Sequence, residues 1–179
     1  IAWTDVGGNI RSTDVGTFSE DDELLSSASS NGYSSIILEE SQGEPPYVYV
    51  ARGTGGCWRW HAEGMDHDGS VTTEKVYGIV KLHDGTIYVS HMRADFSTYL
   101  ATMTFSGTIT DTSLTLASGS VLFSDGRLIW ARQTIGGKTY LVEILDEAVV
   151  RTWDGEKTDY SPFAVSGAGA FNGHLLTRT

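Results

Sequence analysis

Proline is scarce in this sequence, with 3 residues in 179, and cysteine is scarcer still, with Cys57 alone. A single cysteine excludes an internal disulfide and a multi-Cys zinc site, so Cys57 is expected to be a small turn or core residue. No apolar run approaches the roughly 20 residues that a helix needs to span a bilayer, and membrane insertion is not expected. Cations are few, 12 Lys and Arg against 23 Asp and Glu, for a formal net charge of −11. A surface that grips nucleic acid needs clustered Lys and Arg. Specific nucleic-acid binding is therefore not expected, nor is docking to anionic lipid; an acidic lining would instead let DNA slide past without sticking. There is no Ser-His-Asp elbow, phosphate loop or dinucleotide fingerprint, an informative gap in a chain with 21 Gly. No cofactor is implied. The sequence does not begin with Met, which fits a processed product, an excised domain or the ordered part of something longer.

What the sequence does have is 40% hydrophobic residues, eight Tyr and five Trp. With abundant Gly, that mix suits many short strands joined by tight turns. A repeat of 41 residues runs through it: His83-Asp84-Gly85 returns as Ser124-Asp125-Gly126, and Thr98-Tyr99-Leu100 as Thr139-Tyr140-Leu141. Gly78 and Val80 meet Gly119 and Val121, while one period earlier Tyr88, Val89, Arg93 and Tyr99 meet Tyr47, Val48, Arg52 and Trp58. Asp-Gly and Gly-Gly are good hairpin residues because they tolerate positive φ, so Ile135-Gly136-Gly137-Lys138 is read as a turn. In the following strand Tyr140, Val142 and Ile144 share one face and Leu141, Glu143 and Leu145 the other, which predicts burial on both sides.

Four short antiparallel strands in about 41 residues is the size of one propeller blade. The expected fold is therefore all-β: a β-propeller or propeller fragment of about four to five four-stranded blades in a single domain, residues 1–179. Its repeats would be about 1–35, 36–76, 77–117, 118–158 and a partial 159–179. Residues 19–35 are the least strand-like; "SEDDELL" is read as a solvated loop, or as one helical turn capped by Ser19.

Residues 10–19, "IRSTDVGTFS", resemble the Asp-box of bacterial-neuraminidase-type propeller repeats. Ser12, Asp14, Gly16, Thr17 and Phe18 match it, with one residue missing and Phe in place of Trp. Eroded versions stand at 52–58 and 132–140. The resemblance implies a structural turn: Asp bonds the turn's own N–H groups, Gly supplies positive φ, and the aromatic packs between blades. Residues 131–147, "ARQTIGGKTYLVEILDE", are similar to the nozzle of short-tailed phage tails. Neither resemblance transfers a catalytic residue.

Catalytic candidates are thin. Arg52, Arg93 and Arg132 recur, but the Arg-Ile-Pro opening of sialidases is absent, and blade-to-blade salt bridges or surface charge explain them better. Asp66, His67 and Asp68 resemble half a calcium loop and are expected in an exposed turn. His61, His67, His83, His91 and His174 form no ligand spacing, and no metal site is expected. The best surface candidate is "CWRWHAEG": Trp58 and Trp60 share one strand face, Arg59 and His61 the other. Repeat alignment makes Trp58 and Trp60 core residues, whereas an exposed Trp60 beside Arg59 and His61 would stack on a sugar ring. The leading expectation is a non-enzymatic structural and interaction module in a phage tail or similar virion assembly, located in a virion or extracellularly, with other protein subunits as partners. A glycan-binding propeller lectin, with cell-surface glycan as partner, is the first alternative. A fragment of a sialidase-like glycoside hydrolase is the second.

Overall fold

The computed structural model describes the backbone of residues 2–4, 10–13, 20–25, 35–39, 47–61, 67–154, 169–171 and 174–176, and the side chains of Ile37, Glu39, 47–59 and 69–154. Every element among these residues is a strand. The first sheet is β1 (Ala2–Thr4), β2 (Ile10–Thr13) and β3 (Glu20–Leu25). Three four-stranded sheets follow, each an antiparallel meander in chain order. Sheet B is β4 (Ser35–Glu39), β5 (Tyr47–Ala51), β6 (Cys57–His61) and β7 (His67–Thr72). Sheet C is β8 (Lys75–Lys81), β9 (Ile87–Met92), β10 (Thr98–Met103) and β11 (Ile109–Leu116). Sheet D is β12 (Val121–Ser124), β13 (Ile129–Ile135), β14 (Lys138–Leu145) and β15 (Ala148–Asp154). A last pair, β16 (Gly169–Phe171) and β17 (His174–Leu176), ends the order.

Residues 20–25 correct the loop-or-helix expectation for "SEDDELL". They pair with β2, and the register sets Arg11 opposite Glu23 and Ile10 opposite Leu25. Ladder pairing with β2 outweighs the low strand propensity of Glu and Asp. Likewise His67, Asp68 and Gly69 open strand β7 rather than lying in an exposed turn, while Asp66 falls outside the described residues.

Turn chemistry explains the hairpins. Gly136 and Gly137, at φ +58° and +81°, form a two-residue turn between Ile135 and Lys138, the geometry that matches strand twist. Asp146 and Glu147, at +50° and +59°, do the same between Leu145 and Ala148. The Asp-Gly turns use the Asp side chain as expected: Asp84 Oδ1 accepts the Thr86 N–H at 2.8 Å, and Asp125 Oδ1 accepts those of Arg127 and Leu128, both at 2.9 Å. The two differ in register, however. Val80 pairs with Tyr88, whereas Val121 pairs with Arg132 and not with Ile129.

Strand alternation sorts each sheet's side chains into two cores. Ile79, Ile87, Val89, Ala101 and Met103 of sheet C pack with Ile37, Tyr49, Ala51 and Cys57 of sheet B. Val80 and Leu100 face the other way, onto Leu122, Ile129, Ala131, Val142 and Ile144 of sheet D. Leu141 and Trp130 form a further cluster on the far side of sheet D. Strand β14 is thus buried on both faces as its sequence predicts, although Leu145 at its end is exposed. Cys57 is a core residue, and burial pushes its thiol pKa up to about 12.

The first strands of successive sheets touch, β4 on β8 and β8 on β12. Gly78 makes the second approach possible, because a Cβ there would lie 2.5 Å from the Leu122 backbone nitrogen. At the other junction Gly53 and Val76 exchange two hydrogen bonds between sheets B and C, at 2.7 and 3.0 Å. Replacing Gly78 with Ala forces these backbones apart and should cost about 1–3 kcal/mol. A urea midpoint lowered relative to the parent chain checks this; an unchanged midpoint would mean that the close approach does not exist in solution.

Candidate functional site

Strand β6 carries the residues singled out as a surface candidate. Its register sets Arg59 opposite Tyr49 and His61 opposite Tyr47, so Arg59 and His61 occupy positions on the side of sheet B that meets sheet C. Arg59 lies over the Tyr47 ring at 4.9 Å, and Tyr49, buried beside it, donates its hydroxyl to the Phe105 carbonyl at 3.4 Å. Burial raises the Tyr49 pKa, against an opposing hydrogen bond and charge from Arg59. Arg59 therefore belongs to the rim of the interior between two sheets. Trp60 pairs with Val48 by backbone register; the side chains of Trp60 and His61 lie outside the described residues.

Trp58 corrects the expectation of a core residue. It is half-buried, its Nε1–H donates to the Gly55 carbonyl at 3.0 Å, and the Arg52 guanidinium covers its ring at 4.5 Å. One repeat later Arg93 covers Tyr99 at 4.2 Å. An amphipathic pair of this kind keeps one aromatic face dry while the charge stays wet. The recurring arginine and the recurring aromatic are two halves of one device, a link invisible when each is read alone.

Among the described residues one polar cluster joins His91, Arg93 and Asp111, a combination the sequence did not flag. Strand β9 holds His91 and ends beside Arg93, and β11, the next strand but one in the sheet, brings Asp111 to both across β10. His91 Nδ1 lies 2.6 Å from Asp111 Oδ1; a carboxylate only accepts, so Nδ1 carries the proton. Arg93 donates from Nε and Nη2 to Asp111 Oδ2 at 2.7 and 2.6 Å. His91 Nε2 faces Glu74 Oε2 at 3.5 Å. Burial pushes the Asp111 carboxyl up, but hydrogen bonds and charge from His91 and Arg93 outweigh it and hold the pKa below the ordinary range. Of the two readings of the recurring arginines, surface charge fits Arg93, which is exposed. Arg93 is bound to a carboxylate of its own sheet, not bridged to the next one. The spacing of these residues, 18 and 20 apart, carries no local motif, and only the sheet register joins them.

Asp111 accepts from both His91 and Arg93, while the other ring nitrogen of the histidine, Nε2, is buried without a hydrogen-bond partner. Among the described residues, no group of three or more His, Cys, Asp or Glu is arranged to hold a metal ion, and no helix is long and apolar enough to cross a membrane. Of the Asp-box candidates, Ser12 lies in strand β2, whereas Asp14, Gly16, Thr17 and Phe18 fall outside the described residues. The hairpins at 52–58 and 132–140 both join the second and third strands of their sheets.

Asp111 gives a signed pH prediction. Its folded pKa is depressed, so its contribution to stability is present above the unfolded carboxylate value and is lost as pH falls through the folded one. Asp111→Asn should cost about 1–2 kcal/mol at neutral pH, a charged hydrogen-bond value discounted because Arg93 is half exposed. The difference from the parent chain should close below roughly pH 4. Unfolding midpoints across pH test this, and a constant difference down to acid would rule out an ionised Asp111 as the source.

Compared with known proteins, the chain matches no family model and no curated protein.

Proposed function

We propose that the chain is a β-propeller or propeller fragment of about four to five blades, serving as a non-enzymatic structural and interaction module of a larger assembly. One observation carries the architecture. Sheets stacked face to face sit about 10 Å apart, so in a flat stack β4 and β12 would be separated by roughly 20 Å. Their Cα atoms instead come within 8 Å of each other. Mutual contact of the first strands supports an arrangement of blades around an axis. Such a body displays turns and edges on rigid supports, and its partners are neighbouring protein subunits. Placement in a virion, specifically a phage tail, or more broadly outside the cell, rests on the resemblance of residues 131–147 to tail nozzle proteins.

The glycan-binding reading has one observation in its favour, the aromatic-plus-arginine pair repeated at Trp58 and Tyr99. In both copies an arginine already covers one face of the ring, which favours the structural module. A sialidase-like site would need its arginines available as a cluster. Arg93 is committed to Asp111, and Arg52 to Trp58.

The purified chain should release no product from a panel of aryl glycosides and show no saturable binding on a glycan array. Turnover that follows enzyme concentration would establish a hydrolase instead, and a saturable glycan would establish a lectin.

A further inference from the structure

Both ring nitrogens of His91 face carboxylates. Nδ1 gives its proton to Asp111 Oδ1 at 2.6 Å, which leaves Nε2 of the neutral ring with a lone pair and no hydrogen. Nε2 is shut off from solvent without a hydrogen-bond partner, in a residue only 8% exposed. Across from it stands Glu74 Oε2 at 3.5 Å. A carboxylate oxygen is an acceptor as well, so two electron-rich atoms share one gap. They repel unless something positive lies between them.

The width of the gap narrows what that is. A proton on Nε2 would draw the groups into a charge-assisted hydrogen bond of about 2.7–2.9 Å, and 3.5 Å is too long for one. A zinc ion takes imidazole nitrogen at about 2.0–2.1 Å and carboxylate oxygen at about 2.0–2.2 Å, so a tetrahedral angle sets the two ligand atoms roughly 3.4 Å apart. The gap fits the ion better than the proton.

The surroundings supply what a metal-binding histidine needs. Such a histidine donates its other N–H to a carboxylate, which fixes the tautomer and orients the ring. Asp111 is that carboxylate, and Arg93 holds it in turn through Oδ2 at 2.6 and 2.7 Å. Arg93 and Asp111 thereby offset each other's charge and leave that of Glu74 for the ion. Lys75 is turned onto the Phe96 ring at 5.0 Å. Glu74 lies in the connector between β7 and β8, where its own N–H donates to Thr72 Oγ1 at 3.2 Å. Its side chain is 63% exposed, which lets water reach the remaining positions around an ion.

We propose that His91 Nε2 and Glu74 bind a divalent transition-metal ion, zinc, with Asp111 as the positioning residue behind the histidine. Two protein ligands completed by water make an open site, which is consistent with no group of three such ligands among the described residues. The ion ties the connector between sheets B and C onto β9, at the level where His91 pairs with Val76. This inference does not depend on the assembly reading above.

Titration of the untagged full chain with zinc chloride tests it, with the imidazole nitrogens followed by NMR. A single equivalent should bind, moving the Nε2 signal of His91 while Nδ1 keeps its proton, and the unfolding midpoint should rise with zinc concentration. Glu74→Gln, at an exposed position the fold tolerates, should remove the saturable binding. Asp111→Asn should weaken it about 10–100-fold. Asp84→Asn, an exposed acid in the turn at 82–86, should bind zinc as the parent does. The proposal is overturned by no saturable binding, by binding that survives Glu74→Gln, or by a zinc response at other histidines with His91 unmoved. A ring protonated on both nitrogens and indifferent to zinc would assign the gap to a proton and overturn it too. An equal loss in Asp84→Asn would mean general attraction to an acidic chain, with the same consequence. Unchanged affinity in Asp111→Asn would remove the positioning role.

Discussion

The structure depends on backbone meeting backbone between neighbouring sheets. At Gly78 the first strand of sheet C lies so close to Leu122 that no side chain fits between them, and at Gly53 the contact becomes a pair of hydrogen bonds to Val76. Only at such distances can a single strand serve two cores. Strand β8 shows the result: Ile79 turns toward sheet B and Val80 toward sheet D. A larger residue at Gly78 would lift one sheet off the other and thin both cores together. Each fully buried aliphatic side chain contributes roughly 1.5–3 kcal/mol, so the separation of the sheets controls a large share of the favourable energy.

Polar groups are arranged around that constraint. Ser90, fully buried, donates its hydroxyl to the Ser120 carbonyl at 2.5 Å and so anchors the connector between sheets C and D. Gln133 accepts the Ala117 N–H at 3.0 Å and holds the same connector from the other side. His91 brings an imidazole into the edge of the core, and Asp111 answers it from the outermost strand of the same sheet. Burying either group alone would cost more than the pair gains. The cluster is therefore best understood as a mutual solution, with Arg93 closing it on the solvent side.

The turns divide into those that follow residue chemistry and one that does not. Gly85 and Gly107, at φ +91° and +90°, take the left-handed position of three-residue tips without strain. Phe96 takes the equivalent position with a bulky side chain, and Lys75 covers its ring at 5.0 Å. Here a local rule is broken at an exposed site, and the cation–π contact with Lys75 is the one gain seen among the described residues.

The sequence by itself determined the all-β class of fold, the hairpin at Gly136-Gly137 and the two-sided burial of residues 140–144. These follow from period-two alternation and turn chemistry, which are local and survive any arrangement of sheets. Tertiary structure alone decided the rest. "EDDELL" became a strand because β2 supplied a ladder. Trp58 left the core because Arg52 was near enough to cover it, and Val121 met Arg132 because its hairpin slid past the 41-residue register. Histidine, arginine and aspartate met at 91, 93 and 111 because a third and fourth strand folded back beside a second. Register and sheet separation are non-local: they are set by which backbones come within hydrogen-bonding distance, and no window of sequence contains both partners.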